Sequence, residues 1–229
     1  MIVMLHGFGG THRHFDRVRA ERYLAPDIRG HGDASGVRPI TVEACIQDVA
    51  ALAPTEFDLC GYSMGGRLAL HVALAMRERV RRLVLLSTSA GIEDPAERAA
   101  RRNADEELAA RIEAGGIEAH VAAWSSLGLF AADPPDVSAA AARDALRCEP
   151  AGLAAALRGL GSGVLEPLWG RLGELEMPVE VLVGERDRRY VELGARLARA
   201  LPRGELRVVA GSGHRLALEA PAAVAAVVR

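Results

Sequence analysis

Ser63 stands in Gly61-Tyr62-Ser63-Met64-Gly65, a G-x-S-x-G arrangement that lifts a serine hydroxyl clear of the backbone when it falls on a strand-to-helix turn. Phe57-Asp58-Leu59-Cys60 before it suits a strand, and residues 66–76 after it are good helix formers. Gly61, Gly65 and Gly66 let such a turn close. The helix then aims free N–H groups and its positive dipole end at the serine. A serine needs a base to take its proton and an acid to hold that base in one tautomer. Residues 178–184 read as a strand that runs into Glu185-Arg186-Asp187; Asp187 is the first choice for the acid and Glu185 the second. Residues 206–210 read as another strand, followed by Gly211-Ser212-Gly213-His214. His214 is the candidate base. Serine, acid and histidine thus follow in that order, each at a strand end.

A second glycine-rich loop, Leu5-His6-Gly7-Phe8-Gly9-Gly10, follows the apolar start Met1-Ile2-Val3-Met4. The other histidines carry plainer expectations. His12 and His14 lie in a polar loop, His31 in a structural turn, and His71 and His120 on helices as surface or packed residues. No histidine, cysteine or carboxylate spacing suggests a metal, and no cofactor is expected. Half of the 229 residues are apolar and a quarter are charged, which fits a globular protein with a sizeable core. A net charge of -2 gives no reason to expect a nucleic-acid partner. No apolar run is long enough to cross a bilayer, so no membrane insertion is expected. Three scattered cysteines argue against a disulfide framework and for a reducing compartment. Met1 leads straight into a strand with no signal peptide before it, so the expected location is cytoplasmic.

Strand and helix patterns alternate over residues 1–87 and again over 174–229. That alternation predicts an α/β fold with a mostly parallel sheet flanked by helices. Residues 88–173 lose the strand signal. Their Ala-rich, charge-studded stretches are broken at Gly115-Gly116, at Asp133-Pro134-Pro135 and over residues 159–163. Such a block between two strand-rich parts reads as a helical cap inserted over the site.

The whole chain resembles the α/β-hydrolase fold superfamily. Within it, the chain is similar to the 2-succinyl-6-hydroxy-2,4-cyclohexadiene-1-carboxylate synthases of menaquinone biosynthesis. The likeness runs through Gly61-Tyr62-Ser63-Met64-Gly65-Gly66-Arg67-Leu68-Ala69 and Leu86-Ser87-Thr88-Ser89-Ala90-Gly91-Ile92-Glu93-Asp94. It continues through Arg101, Asp105, Trp124, Leu129-Phe130, Glu166-Pro167-Leu168-Trp169 and Val183-Gly184-Glu185-Arg186-Asp187. The resemblance implies an oxyanion hole formed by the N–H groups of Phe8 and Met64. It implies elimination of pyruvate by proton abstraction, with no acyl-enzyme, from a small-molecule polycarboxylate. Such a substrate calls for arginines. Arg67, four residues after Ser63, shares a helix face with it. The resemblance adds Arg101 and Arg147, with Arg102 as rival to the first and Arg143 or Arg158 to the second. Tyr62 and Trp124 join them as candidate binding residues. Two features depart from the pattern. The oxyanion strand starts at Met1, without the usual preceding antiparallel strands, which leaves a minimal sheet or a shortened start. Residues 23–32 read more like general hydrolases of this fold than like the synthases. A serine carboxylesterase or C–C hydrolase acting through Ser63, and a non-catalytic ligand-binding protein, therefore stand as alternatives.

Overall fold

The computed structural model describes residues 1–18 and 20–228. Strand β1 (Ile2–Leu5) leads into the glycine-rich loop, and β2 (Tyr23–Leu24) pairs with its outer edge. Helix α1 (Val42–Leu52), β3 (Phe57–Tyr62), α2 (Met64–Ala75) and β4 (Val80–Leu86) complete the first part. The chain then passes through helices α3 (Pro95–Ser125), α4 (Pro135–Ala145) and α5 (Pro150–Leu160). It returns to the sheet with β5 (Val179–Gly184), α6 (Arg188–Ala200) and β6 (Gly204–Val209), and ends in α7 (Leu216–Glu219) and α8 (Pro221–Val227). All pairings are parallel, in the order β2-β1-β3-β4-β5-β6.

That order fixes where a site can form. The chain winds outward from β1 to β2 in one direction and from β3 to β6 in the other. The loops after β1 and β3 therefore part company and leave a crevice at the carboxyl ends of the strands. The glycine-rich loop and Ser63 both lie at that crevice.

The strands are apolar on both faces because helices cover both. Val3, Leu5, Leu59, Leu83, Leu85, Val181 and Val183 pack against α1, α2 and α6. Ile2, Met4, Cys60, Tyr62, Val84, Leu86 and Leu182 face Phe15 and the C-terminal helices. The alternation along each strand is the two-residue period of the pleat. Each fully buried leucine contributes about 1.5 to 3 kcal/mol through the water it leaves. The pattern over residues 23–27 predicts a longer second strand than forms, because Pro26 has no N–H to donate and pairing ends at Leu24. The elbow helix begins two residues earlier than the helix-former count implies, because the turn itself supplies its first residues.

The helical segment has a small core of its own, in which Ala109 and Ile112 of α3 meet Cys148 and Leu153, Ala154 and Leu157 of α5. Gly115-Gly116 kinks α3 rather than ending it: Gly116 takes φ 81° and the helix resumes. The three cysteines are buried and unpaired with one another. Among the described residues, no helix is long and apolar enough to cross a membrane.

Candidate active site

Ser63 is the turn between β3 and α2. Its φ of 52° and ψ of -109° lie where side chains are strained, at a cost of roughly 1 to 3 kcal/mol. Four hydrogen bonds hold it there. Its N–H donates to Leu86 O at 2.9 Å, and its carbonyl accepts from Gly66 N, Arg67 N and the Thr88 hydroxyl, the last at 2.7 Å. Glycine is required beside it. A Cβ on Gly65 would sit 2.2 Å from Leu5 O, and one on Gly61 would sit 2.3 Å from Gly65 O. The close approach of the elbow to the end of β1 is thus built into the sequence.

His214 follows β6 and Asp187 follows β5, which brings both to the same edge of the crevice. His214 Nδ1 donates to Asp187 Oδ2 at 2.6 Å. Nε2 is then the acceptor, and Ser63 Oγ stands 3.1 Å from it. Both His214 and Asp187 are buried. Glu185 is turned away; it accepts from Gly211 N at 2.8 Å and braces the loop before the histidine. The sequence's first choice of acid is the one that reaches the ring. Three rings enclose the imidazole: Tyr190 at 4.6 Å between centroids, Tyr62 at 5.4 Å and Phe130 at 5.9 Å.

The glycine-rich loop is set by His6, which is fully buried. Its Nε2 accepts from Ile28 N at 2.9 Å, so its Nδ1 carries the proton and donates to Gly7 O at 2.9 Å. Burial lowers its pKa and keeps this neutral tautomer in place. Phe8, two residues on, lines the cavity with Met64. Met64 opens α2, so its N–H has no acceptor within the helix.

The cavity above Ser63 measures about 480 Å³. Arg67 lines it, one turn along α2 from the serine. Its Nε is shut off from solvent without a hydrogen-bond partner, and it has no carboxylate ion pair among the described residues. Burial lowers its pKa and outweighs the opposing pull of the Asp105 carboxylate, which is bound to Arg101, so the charge is held in a poorly solvated place. Arg101 also lines the cavity and is oriented by Asp105, to which its Nε donates at 2.8 Å. Trp124 and Tyr62 are further lining residues. Tyr62 stacks on His14 at 4.4 Å, and burial raises its phenol pKa, which keeps the ring neutral.

Arg147 is not brought in. It is exposed at the end of α4 and absent from the cavity wall. Neither of its rivals lines the cavity, since Arg158 pairs with Glu106 and Glu113 and Arg143 is exposed on α4; Arg102, the rival to Arg101, donates to Gly163 O. Arg189 and Arg215 reach the cavity instead. Arg215 is already neutralised, since it pairs with Asp133 and lies 3.7 Å over the Phe130 ring.

Several lining residues escaped the sequence reading. Tyr190 stands one helical turn after Asp187 and Arg215 directly after His214; those offsets were the available signals. His14 and His120 line the cavity although loop and helix placement gave them no role. Burial lowers both pKa values, His14 to about 3. His31 is structural as expected: it is fully buried, with its pKa pushed to about 3. His12, Asp27 and Asp33 come together, but Asp27 already accepts from His12 N and Asp33 N, so the cluster braces a loop.

Residues 2–227 match the alpha/beta hydrolase family over nearly the whole length. The chain belongs to that family. A Bacillus subtilis (strain 168) protein provisionally named 2-succinyl-6-hydroxy-2,4-cyclohexadiene-1-carboxylate synthase is 33% identical over 96% of this chain and 85% of its own. The synthase of that name from Citrobacter koseri is 31% identical over 97% of this chain and 90% of its own. The solved structure of MenH from S. aureus superposes with a TM-score of 0.91 at 28% identity, covering 99% of this chain and 91% of that one.

Proposed function

We propose that this alpha/beta hydrolase family member is a carbon–oxygen lyase. It eliminates pyruvate from 2-succinyl-5-enolpyruvyl-6-hydroxy-3-cyclohexene-1-carboxylate and yields 2-succinyl-6-hydroxy-2,4-cyclohexadiene-1-carboxylate. The observation that carries this reading is Arg67, a poorly solvated guanidinium with no carboxylate ion pair among the described residues, one helical turn from the reactive serine. A neutral ester has no use for such a group; a substrate carrying several carboxylates does. The Bacillus subtilis and Citrobacter koseri relatives, which match nearly the whole chain, bear the synthase name, while an esterase from Thermogutta terrifontis shares the fold.

The chemistry follows from the two ring systems. Ring carbon 2 of the substrate lies between the succinyl ketone and the ring double bond, so its proton is acidic. Ser63 Oγ takes that proton and passes its own to His214 Nε2, with Asp187 stabilising the imidazolium. The electron pair forms a double bond between ring carbons 2 and 3, the existing double bond moves to carbons 4 and 5, and the bond from carbon 5 to oxygen breaks. The enolate of pyruvate leaves and is protonated at the expense of the imidazolium. Negative charge passes through the ketone oxygen, where the N–H groups of Phe8 and Met64 serve as oxyanion donors. Arg67 and Arg101 hold carboxylates, and Trp124 and Tyr62 wall the ring. No metal or cofactor is needed for these steps.

Pyruvate release from freshly made substrate tests the reading, with the Ser63→Ala variant and a short-chain nitrophenyl ester alongside. Release well above the spontaneous rate, lost in Ser63→Ala, is expected. Background release together with Ser63-dependent ester cleavage would instead assign a hydrolase.

A further inference from the structure

We propose that Glu219 is a positioning residue for the catalytic histidine. Its carboxylate is buried and reaches back over the His214 loop. One oxygen, Oε2, accepts from Gly213 N at 2.7 Å, and the other, Oε1, accepts from Arg215 N at 3.0 Å. The N–H groups immediately before and after His214 are therefore held by the same side chain. Oε2 also accepts from Arg186 Nη2 at 2.8 Å. Arg186 is the neighbour of Asp187. A single carboxylate thus ties the loop that carries the base to the loop that carries the acid.

The local backbone gives this grip its purpose. Residues 211–215 belong to neither the sheet nor a helix, so no ladder of backbone bonds fixes them. A carboxylate offers about four acceptor sites, and three here are filled by groups that flank the triad. With Glu219 removed, two backbone N–H groups beside His214 lose their acceptor, and the bonds that remain, Gly211 N to Glu185 and Arg186 N to Ser212 O, hold only the residues before His214. Displacing a catalytic group by about 1 Å costs on the order of 100-fold in rate. Glu219 touches neither Ser63 nor the cavity and acts only through the ring's placement.

The inference rests on the proposed catalytic role of Ser63 and His214, and its test is separable from the lyase reading. The rate at which a fluorophosphonate labels Ser63 reports serine activation whatever the natural substrate. The final labelled fraction reports how much protein is folded. For Glu219→Ala, labelling and kcat for pyruvate release are expected to slow about 10- to 100-fold, with KM little changed and the labelled fraction complete. Glu219→Gln keeps one acceptor oxygen but turns an NH₂ toward the other N–H, so its losses fall between. Arg186→Ala leaves both backbone bonds and loses least. Wild-type labelling rate and kcat in folded Glu219→Ala would overturn the proposal, as would losses that merely track the unfolded fraction. If Glu219→Ala does not fold, Glu219→Gln decides on the same readouts. Slowed labelling in an enzyme that releases no pyruvate would sink the lyase reading and support the positioning role.

Discussion

Arg67 is the residue on which the substrate class turns. Removing a guanidinium that grips a carboxylate through charge-assisted bonds costs about 3 kcal/mol, or roughly 100-fold. Arg67→Ala is expected to lose about that much in kcat/KM for pyruvate release. Arg67→Lys recovers only part, because an ammonium cannot form the two-pronged contact. Steady-state kinetics of both variants check this; a wild-type kcat/KM in Arg67→Ala would remove the carboxylate anchor from the account. Arg147→Ala should leave activity unchanged, since that side chain points to solvent. The contrast shows what spacing can carry. Arg67 was legible because one helical turn separates it from Ser63 on a helix whose start is fixed by the elbow. Arg147 lies on a segment whose packing no short-range pattern determines, and exposed arginines there outnumber those that face inward.

Two kinds of element hold the site, and they were unequally readable. The strand ends that deliver Ser63, Asp187 and His214 were visible as apolar runs followed by glycine, acid or histidine. The ties between the helical segment and the core were not, because each joins residues far apart in sequence. Asp144 of α4 accepts from Thr11 N at 3.0 Å and from the Thr11 hydroxyl, just past the glycine-rich loop. Asp133 pairs with Arg215 beside the histidine, with both side chains buried. Burial raises the Asp133 pKa despite the guanidinium next to it. Leaving one partner of such a pair alone costs about 3 to 5 kcal/mol. Asp133→Ala is therefore expected to lower the urea midpoint by a corresponding amount; an unchanged midpoint would show that the pair does not hold the segment down. At the elbow, Gly65→Ala should disrupt the turn, since its Cβ would meet the carbonyl of Leu5. Loss of fluorophosphonate labelling at Ser63 is the readout, and full labelling would contradict the close approach.

For the molecule as a whole, buried histidines couple stability to pH. His14 and His31 have folded-state pKa values near 3, against an ordinary value of 6.5, because burial disfavours their charged forms. The unfolded chain therefore binds more protons as pH falls below about 6.5, and stability, complete above that value, is lost progressively toward pH 3. Each ring contributes about 1.4 kcal/mol per pH unit in that window. Urea unfolding at about pH 7.5 and about pH 5.5 should differ by roughly 2 to 3 kcal/mol from these two rings; equal stabilities would contradict their neutral burial. The parallel sheet, the crevice where its strand order reverses and the cavity above it serve one chemical claim, that Ser63 removes a proton and never carries the substrate. A single turnover with substrate deuterated at ring carbon 2, followed by rapid quench and intact mass measurement, tests it most directly. The account predicts that deuterium slows pyruvate release and that Ser63 stays unmodified throughout. Release insensitive to deuterium, with an adduct accumulating on Ser63, would contradict it.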